Sequence, residues 1–433
     1  MVEARLAAAG SFVLAALAAL GAGAAPETAP VSSSLPEPLA AAAGVPRDLL
    51  YAVLDDGRLA AQYAVDGHLH SEVSGDSHTS VHELVAVAAR RAIDALVFTD
   101  HASIAVAPLL AAEDAHRPPG ARPLLVLGEE AGAPGAHVGL WNVHHHSRRA
   151  PFDPVSPVLG ILTGSAEHDP EALSVLNHPG WKPVGGAFYR ASFFDPRLPG
   201  PKFEAIELWN GRTYLRLQTR QLIERWEDML AHGLRPSIVA SSDAHHGLDV
   251  GTPRTIVLAP ALDAAALVGA VRAGRTYLTD DARIDFTVNG HLPGDTLVPA
   301  LASDEPWAVR VRGWSARGGT LRILAGPPAG NVVLATELSP GRFDVGCDFA
   351  PPAPPADGWL RVELVRRDLF KGHPIDFVAL VSAPVYWDAP PLGDFWAARP
   401  GAWKKPPYLA ARVLPKKSLS ASTTSRLTSR VSP

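Results

Sequence analysis

The chain has 433 residues, a formal net charge of −5, 19% charged residues, and one cysteine against 17 histidines. That balance offers no basic field to nucleic acid. The lone Cys347 excludes an internal disulfide and a thiolate-rich zinc site, so any metal here would sit among nitrogen and oxygen ligands.

The length suits two domains, one of them large. Near the start, Arg5 precedes the apolar run LAAAGSFVLAALAAL, followed by GAGAAPE with small residues around Ala24. Counted on through Gly21 and Ala22 the run is about 17 residues, at the short edge of a membrane span, and we read residues 1–24 as an export signal. The mature chain is then expected in the periplasm or outside the cell, with no membrane partner after cleavage. An uncleaved anchor helix is the alternative. Residues 25–45, rich in Pro, Ser and Ala, read as a linker.

From 46 to 260 short apolar runs alternate with amphipathic segments. YAVDGHLHS reads as a strand entering a loop, and SVHELVAVAARRA as a helix with Leu84, Val87 and Ala88 on one face. IDALVFTDH, LLVLGEEAG, HVGLWNV, LSVLNHPGW, FEAIELWNG and SIVASSDAHH repeat the strand grammar, and RLQTRQLIERWEDMLAHG reads as a helix closed by Gly233. Strands alternating with helices imply a parallel β/α architecture, most simply a barrel. After Gly251, TPRTIVLAP and the helix LDAAALVGAVRAG lead into short strands with Gly and Pro turns, which predict an αβ extension and β-sandwich within 261–390. Residues 391–433 form a C-terminal segment whose end, SLSASTTSRLTSRVSP, reads as disordered.

The polar residues fall at the carboxyl ends of the apolar runs: GHLHS, TDH, GEE, NHPGW, SDAHH. Parallel β/α folds place their active sites at that end. The residues concerned are His68, His70, Asp76, Asp100, His101, Glu130, His137, His178, Asp243 and His245. His-x-His at a strand end sends both rings to one side, and imidazoles with carboxylates can close around a first-row metal. Singly, each has a plainer reading as a satisfied buried or surface side chain. Asp100 reads as the carboxylate that orients the ring of His101. IELWNG places Glu207 and Trp209 on one strand face; Glu207 and Asn210 are candidate substrate-side residues, and Trp209 is core or substrate-facing. Arg148 and Arg149 could pair with a phosphate or form a solvated loop. HHH at 144–146, His246 and His291 read as loop or surface histidines.

The ordered set HLHS, TDH, GEE, HVGL, NHPGW and SDAHH resembles the PHP (polymerase and histidinol phosphatase) superfamily of metal-dependent hydrolases over about residues 62–250. GRTYLTD, RIDFTVNG followed by PGD, and FVALVSAPVYW are similar to its exported CehA/McbA-like branch, which has a trailing β-sandwich. The resemblance implies a distorted (β/α)7 TIM-like barrel over 46–260, with a C-terminal β-sandwich domain. It also implies two or three divalent ions, Zn, Mn or Fe. His68, His70, Glu130 and Asp243 would hold one; Glu130 would bridge to a second held by His137 and His178; Asp76, His101 and His245 would hold a third. Glu130 is preferred to Glu129 because the family pattern is Gly-x-Glu. His68, His70, Glu130, Asp243 and His178 would be the catalytic set.

Two metals would supply a bridging hydroxide and neutralise charge on an attacked oxygen. No GxSxG nucleophile is present. Hydrolysis of a small-molecule phosphate ester is the leading expectation. Carbamate, amide or ester hydrolysis is the second, and an inactive binding protein working through its sandwich the third. Oligomeric state is not readable from the sequence.

Overall fold

The computed structural model describes residues 35–388 except 134–135, 148–156, 180–193, 196, 198–200, 212–218, 298–304, 328–330, 351–356 and 371–372. The export signal, the first part of the linker, Arg148, Arg149 and the segment from 391 onward therefore lie outside the described residues.

The first half is organised around strand β2 (Leu59–Leu69), preceded by β1 (Tyr51–Val53). Eleven residues at about 3.3 Å each make β2 long enough to serve different neighbours along its length. Its early residues pair with β1 and with β9 (Arg254–Ala259), both antiparallel, from Ala61↔Ala259 to Val65↔Thr255. Its later residues run parallel to β3 (Ala95–Phe98), which lies parallel to β4 (Leu124–Ala133). Strands β5 (Ala136–Trp141), β6 (Leu173–Asn177), β7 (Ala205–Asn210) and β8 (Ser237–Ser241) follow in sheet order. The expected parallel alternation breaks at β4–β5–β6, where both pairings are antiparallel. The β4–β5 connection is too short for a crossover helix, and only an antiparallel neighbour is then reachable. From β7 onward pairing is parallel again.

Helices α1 (Val81–Arg90), α2 (Ala107–Ala115), α3 (Pro157–His168), α4 (Thr219–Ala231) and α5 (Ala264–Arg272) connect these strands. In α1, Ser80 caps the first turn by accepting from Glu83 N at 3.2 Å, and Val81, Leu84, Val85, Val87 and Ala88 form its buried face. Asp263 caps α5 in the same way, accepting from Ala266 N at 2.7 Å. The division expected after residue 260 falls between β9 and α5. Both share one core, because Leu267, Val268 and Val271 pack with Tyr63 and Val257.

Strand β10 (Thr276–Thr279) carries the sheet onward from β9 to β18 (His373–Ser382), β17 (Gly358–Phe370), β19 (Val385–Trp387) and β12 (Thr296–Leu297). β14 (Gly319–Gly326) pairs with β17 and with β15 (Asn331–Leu338). A separate three-stranded sheet is made of β11 (Arg283–Val288), β13 (Trp307–Ser315) and β16 (Gly341–Phe349). Its inward residues Ile284, Phe286, Val309 and Val311 share a core with Leu321, Ile323, Leu360, Val362 and Leu380 of the large sheet. This is the packing of two β layers. The large sheet is continuous from the strands of the first half into these layers. Arg361 of β17, fully buried, donates from Nε to Glu227 of α4 at 2.8 Å, so a charged contact also ties the two regions together.

Gly67, between Asp66 and His68, is required by close approach. A Cβ there would fall 1.9 Å from Cζ2 of the buried Trp141 ring. Gly67→Ala should therefore lower stability by about 1–3 kcal/mol through overpacking, read as a fall in thermal midpoint; an unchanged midpoint would show that Trp141 yields freely.

Candidate metal centre

His68 and His70 leave the end of β2 two residues apart, and their Nε2 atoms lie 3.1 Å from each other. The loop after β3 brings His101; β4 brings Glu130; β5 brings His137; His178 follows β6; Asp243 and His245 follow β8. One backbone link explains how the last of these reaches the first: Asp243 N donates to His68 O at 2.9 Å, and His70 N donates to Ala244 O at 2.9 Å. His178 and Asp243 both take positive φ, 25° and 52°. Non-glycine residues seldom occupy that region, and they are held there when surrounding bonds over-determine them. The donation from Asp243 N is one such bond. The donation from His178 N to Glu207 Oε2 at 2.6 Å is another.

Glu130 is the hub. Its Oε1 lies 3.2 Å from His68 Nε2, 3.0 Å from His137 Nδ1, 3.1 Å from His178 Nε2 and 3.0 Å from Asn177 Nδ2. Its buried Oε2 accepts no aligned hydrogen bond, although His101 Nδ1 is 2.9 Å away and His70 Nε2 3.6 Å. Asp243 Oδ1 is 3.4 Å from His70 Nε2 and 3.6 Å from His68 Nε2. Farther out, Asp76 Oδ2 is 3.1 Å from His101 Nε2 and 2.9 Å from His245 Nε2. The site is closed on one side and open on the other: His68, His70 and Glu130 are at most 1% exposed, whereas the Asp76 side chain is 49% exposed.

This donor set fits divalent ions. Ring nitrogens and carboxylate oxygens about 3 Å apart have the spacing of atoms sharing one ion at about 2.0–2.2 Å. Four donors on one oxygen exceed what its two lone pairs can accept, and an unbonded buried Oε2 beside them calls for a cation. Without ions the site holds protons instead. Burial opposes charge on His68, but Glu130, Asp243 and Glu207 carry it well above the usual imidazole range. Burial, with the His68 charge beside it, pushes His70 down to about 4. For Glu130, burial is outweighed by His68 and by the His101, His137 and His178 contacts, and its carboxyl stays well below the usual range. Asp243 is lowered too, burial being overcome by His68, His70 and His178.

All nine residues expected as ligands come together: His68, His70 and Glu130 group as expected, and so do Asp76, His101 and His245 with His70 added, while two other groupings cut across the expected sets. His178 clusters with His68 and Asp243. His137 clusters with Glu130 and His101. His70 joins Asp76, His101 and His245. Asp100 does not orient His101. It accepts from Ser71 N at 2.7 Å and Ser71 Oγ at 2.9 Å, because neighbouring residues leave an extended chain in opposite directions. Glu207 and Trp209 do not share a face, since the β7–β8 register shifts between them. That extra residue turns Asn210 to the side of Glu207, where Nδ2 donates to Glu207 Oε2 at 3.1 Å and to Asp243 Oδ2 at 3.2 Å. Trp209 is left in the core with Ile223 and Trp226. Glu129 accepts from Ser147 N and Oγ at 2.8 and 2.7 Å and lies 2.9 Å from His146 Nδ1, away from the hub.

Four residues of the surrounding frame escaped the sequence reading. Ser74 Oγ is 2.8 Å from His70 Nδ1, and Asn177 donates to Glu130. Asp66, fully buried, accepts from Ser242 N at 2.9 Å and from Gly251 N at 2.7 Å, bracing the turn that carries Asp243. Ser242 completes that brace. Asp66 and Asn177 adjoin the ligand motifs DGHLH and NHPGW, a signal that was available.

Comparison with known proteins places this geometry. Residues 66–217 match the PHP domain and residues 229–276 the PHP-associated region. A two-domain protein from Bacteroides vulgatus, described as containing a predicted PHP-like metal-dependent phosphoesterase, aligns at 16% identity over 82% of this chain and 99% of its own, with TM-score 0.43. PsfC from Pseudomonas syringae aligns at 19% identity over 50% of this chain and 90% of its own, with TM-score 0.36. An amidohydrolase from Chromobacterium violaceum aligns at 16% identity over 43% and 89%, with TM-score 0.26. No curated protein matches. Residues 66–217 thus match a PHP domain, and with the donor set they hold the chain is a metal-dependent hydrolase.

Proposed function

We propose that the chain hydrolyses phosphate esters of a small molecule with two or three divalent ions, of zinc, manganese or iron, on a first-half sheet that closes as a distorted barrel. The closure is supported by the backbone link between His68 and Asp243. The observation that carries the functional reading is the convergence of nine His, Asp and Glu side chains on the buried Glu130 carboxylate and its open flank. His68, His70, Glu130 and Asp243 would hold the innermost ion; Glu130 with His137 and His178 an adjacent one; Asp76, His101 and His245 the one toward solvent. Bound there, such ions supply an activated water near neutral pH and charge neutralisation at the attacked oxygen.

The protein's own part is positioning. Glu207 Oε1, 3.4 Å from His68 Nδ1, can accept a hydrogen bond from that ring N–H and leave Nε2 facing the hub. Ser74 Oγ, 2.8 Å from Nδ1, does the same for His70. Substrate enters and leaves on the side of Asp76 and His101, the most exposed members of the set. We assign the chain to the exported CehA/McbA-like branch on the GRTYLTD and RIDFTVNG motifs, which makes carbamate or amide hydrolysis the second reading. Export rests on the apolar run at 6–20.

Assay of p-nitrophenyl phosphate mono- and diesters, aryl esters and carbamates with Mn, Fe and Zn should give fastest turnover on a phosphate ester. Faster carbamate turnover with every metal would move the assignment to the second reading. His70→Ala and Asp243→Ala should each lower kcat/KM on the best substrate by about a thousandfold or more; parental rates in both would remove the site from catalysis. Glu207→Gln should weaken metal retention by about 10–100-fold, measured by equilibrium dialysis with elemental analysis. Unaltered retention would mean that Glu207 does not govern His68.

A further inference from the structure

The β layers each leave a free edge at the β15–β16 turn, and β11 leaves another on the far side of the three-stranded sheet. Strand β16 ends the three-stranded sheet, and β15 ends its branch of the large sheet, pairing only with β14. Among the described residues no strand pairs with either free edge. Ser339 and Pro340 join the two strands, so both edges border one open seam. The seam is apolar within. Val333, Leu334 and Leu338 of β15 and Phe343, Val345, Cys347 and Phe349 of β16 are only partly buried against the common core, and Val332 is 53% exposed. An unpaired edge with an unfinished apolar layer behind it is a template for another strand.

We propose that a second copy of this chain covers the seam, its β16 pairing antiparallel with this β16 about a two-fold axis at Val345. A two-fold axis between identical edges requires antiparallel pairing, and residues opposed across it must share a sheet face. Along β16 the exposed positions are Arg342, Asp344, Gly346 and Asp348, alternating with the half-buried ones. With the axis at Val345, Arg342 of each copy faces Asp348 of the other, and Asp344 faces Gly346. Phe343 faces Cys347, and all nine residues of the strand are paired. The next face-matched registers on either side put Asp344 opposite Asp344, or Asp344 opposite Asp348, and opposed like charges in a ladder destabilise it. Asp344 is already committed within its own sheet to Arg310, at 2.6 Å, and Arg342 pairs with Asp48 of its own chain, so the second copy's Asp348 joins Asp48 around the Arg342 guanidinium.

Light scattering on the full chain at micromolar concentration should show a dimer. Asp348→Arg, which sets Arg against Arg at both ends, should raise the dimer dissociation constant by about tenfold or more. The double charge swap Arg342→Asp with Asp348→Arg should restore it. In a Cys347→Ser background, Val345→Cys should cross-link to a covalent dimer under mild oxidation, because directly opposed antiparallel residues have Cα separations a disulfide can span. Asp56→Cys, on a distant turn, should stay monomeric on denaturing gels. A monomeric parent overturns the proposal. So does an Asp348→Arg variant that dimerises as the parent does, or a Val345→Cys chain that fails to cross-link while dimeric. Thermal unfolding of each variant shows that a loss of dimer is not a loss of fold.

Discussion

A buried carboxylate in contact with five imidazoles is the constraint around which this molecule is arranged. Glu130 meets His68, His70, His101, His137 and His178 within 3.6 Å; the carboxylate, His68, His70 and His178 are buried, while His101 and His137 border the open flank. Charges that deep are tolerated only when compensated at close range. Protons on histidines supply that compensation when no ion is bound, and divalent cations would supply it with fewer and better-directed contacts. The same constraint accounts for the supporting polar groups: Asn177 on Glu130, Glu207 and Ser74 on the outer ring nitrogens, Asn210 between Glu207 and Asp243.

Holding that cluster requires the backbone to break its own regularities at particular places. Strand β2 changes neighbours midway and carries Gly67 where the Trp141 ring leaves no room for a side chain. β7 inserts an extra residue so that Glu207 and Asn210 face the same way. His178 and Asp243 adopt a conformation that costs backbone energy, and each is pinned by a hydrogen bond from its own N–H. Such departures concentrate where a site must be aimed rather than merely packed. The β layers beyond residue 280 carry register shifts too, between Ile323 and Leu324 and between Leu364 and Val365, but there they aim no side chain at the Glu130 cluster.

Much of the site was legible because metal chemistry restricts residue types. His-x-His, Asp-His and Asp-x-His at the ends of apolar runs need no structure to be noticed, and all nine expected ligands do converge. What misled was strict alternation. It predicted a shared face for Glu207 and Trp209, which one inserted residue undid; the reading of Asp100 failed the other way, by overlooking the alternation that turns it from His101 to Ser71. Asp66 and Asn177 stood beside recognised motifs, yet a carboxylate or amide that braces a turn has the same letters as one that is solvated.

By itself the sequence determined the element types, the carboxyl-end placement of the polar residues and the nitrogen–oxygen character of any metal site, because these depend on local periodicity and side-chain chemistry. Only the tertiary structure decided the antiparallel β4–β5–β6 segment, the continuity of one sheet from the ligand strands into the β layers, and which histidines cluster with which carboxylates. Those depend on distances between residues far apart in the chain, such as the hydrogen bond from Asp243 N to His68 O, and no local pattern encodes them.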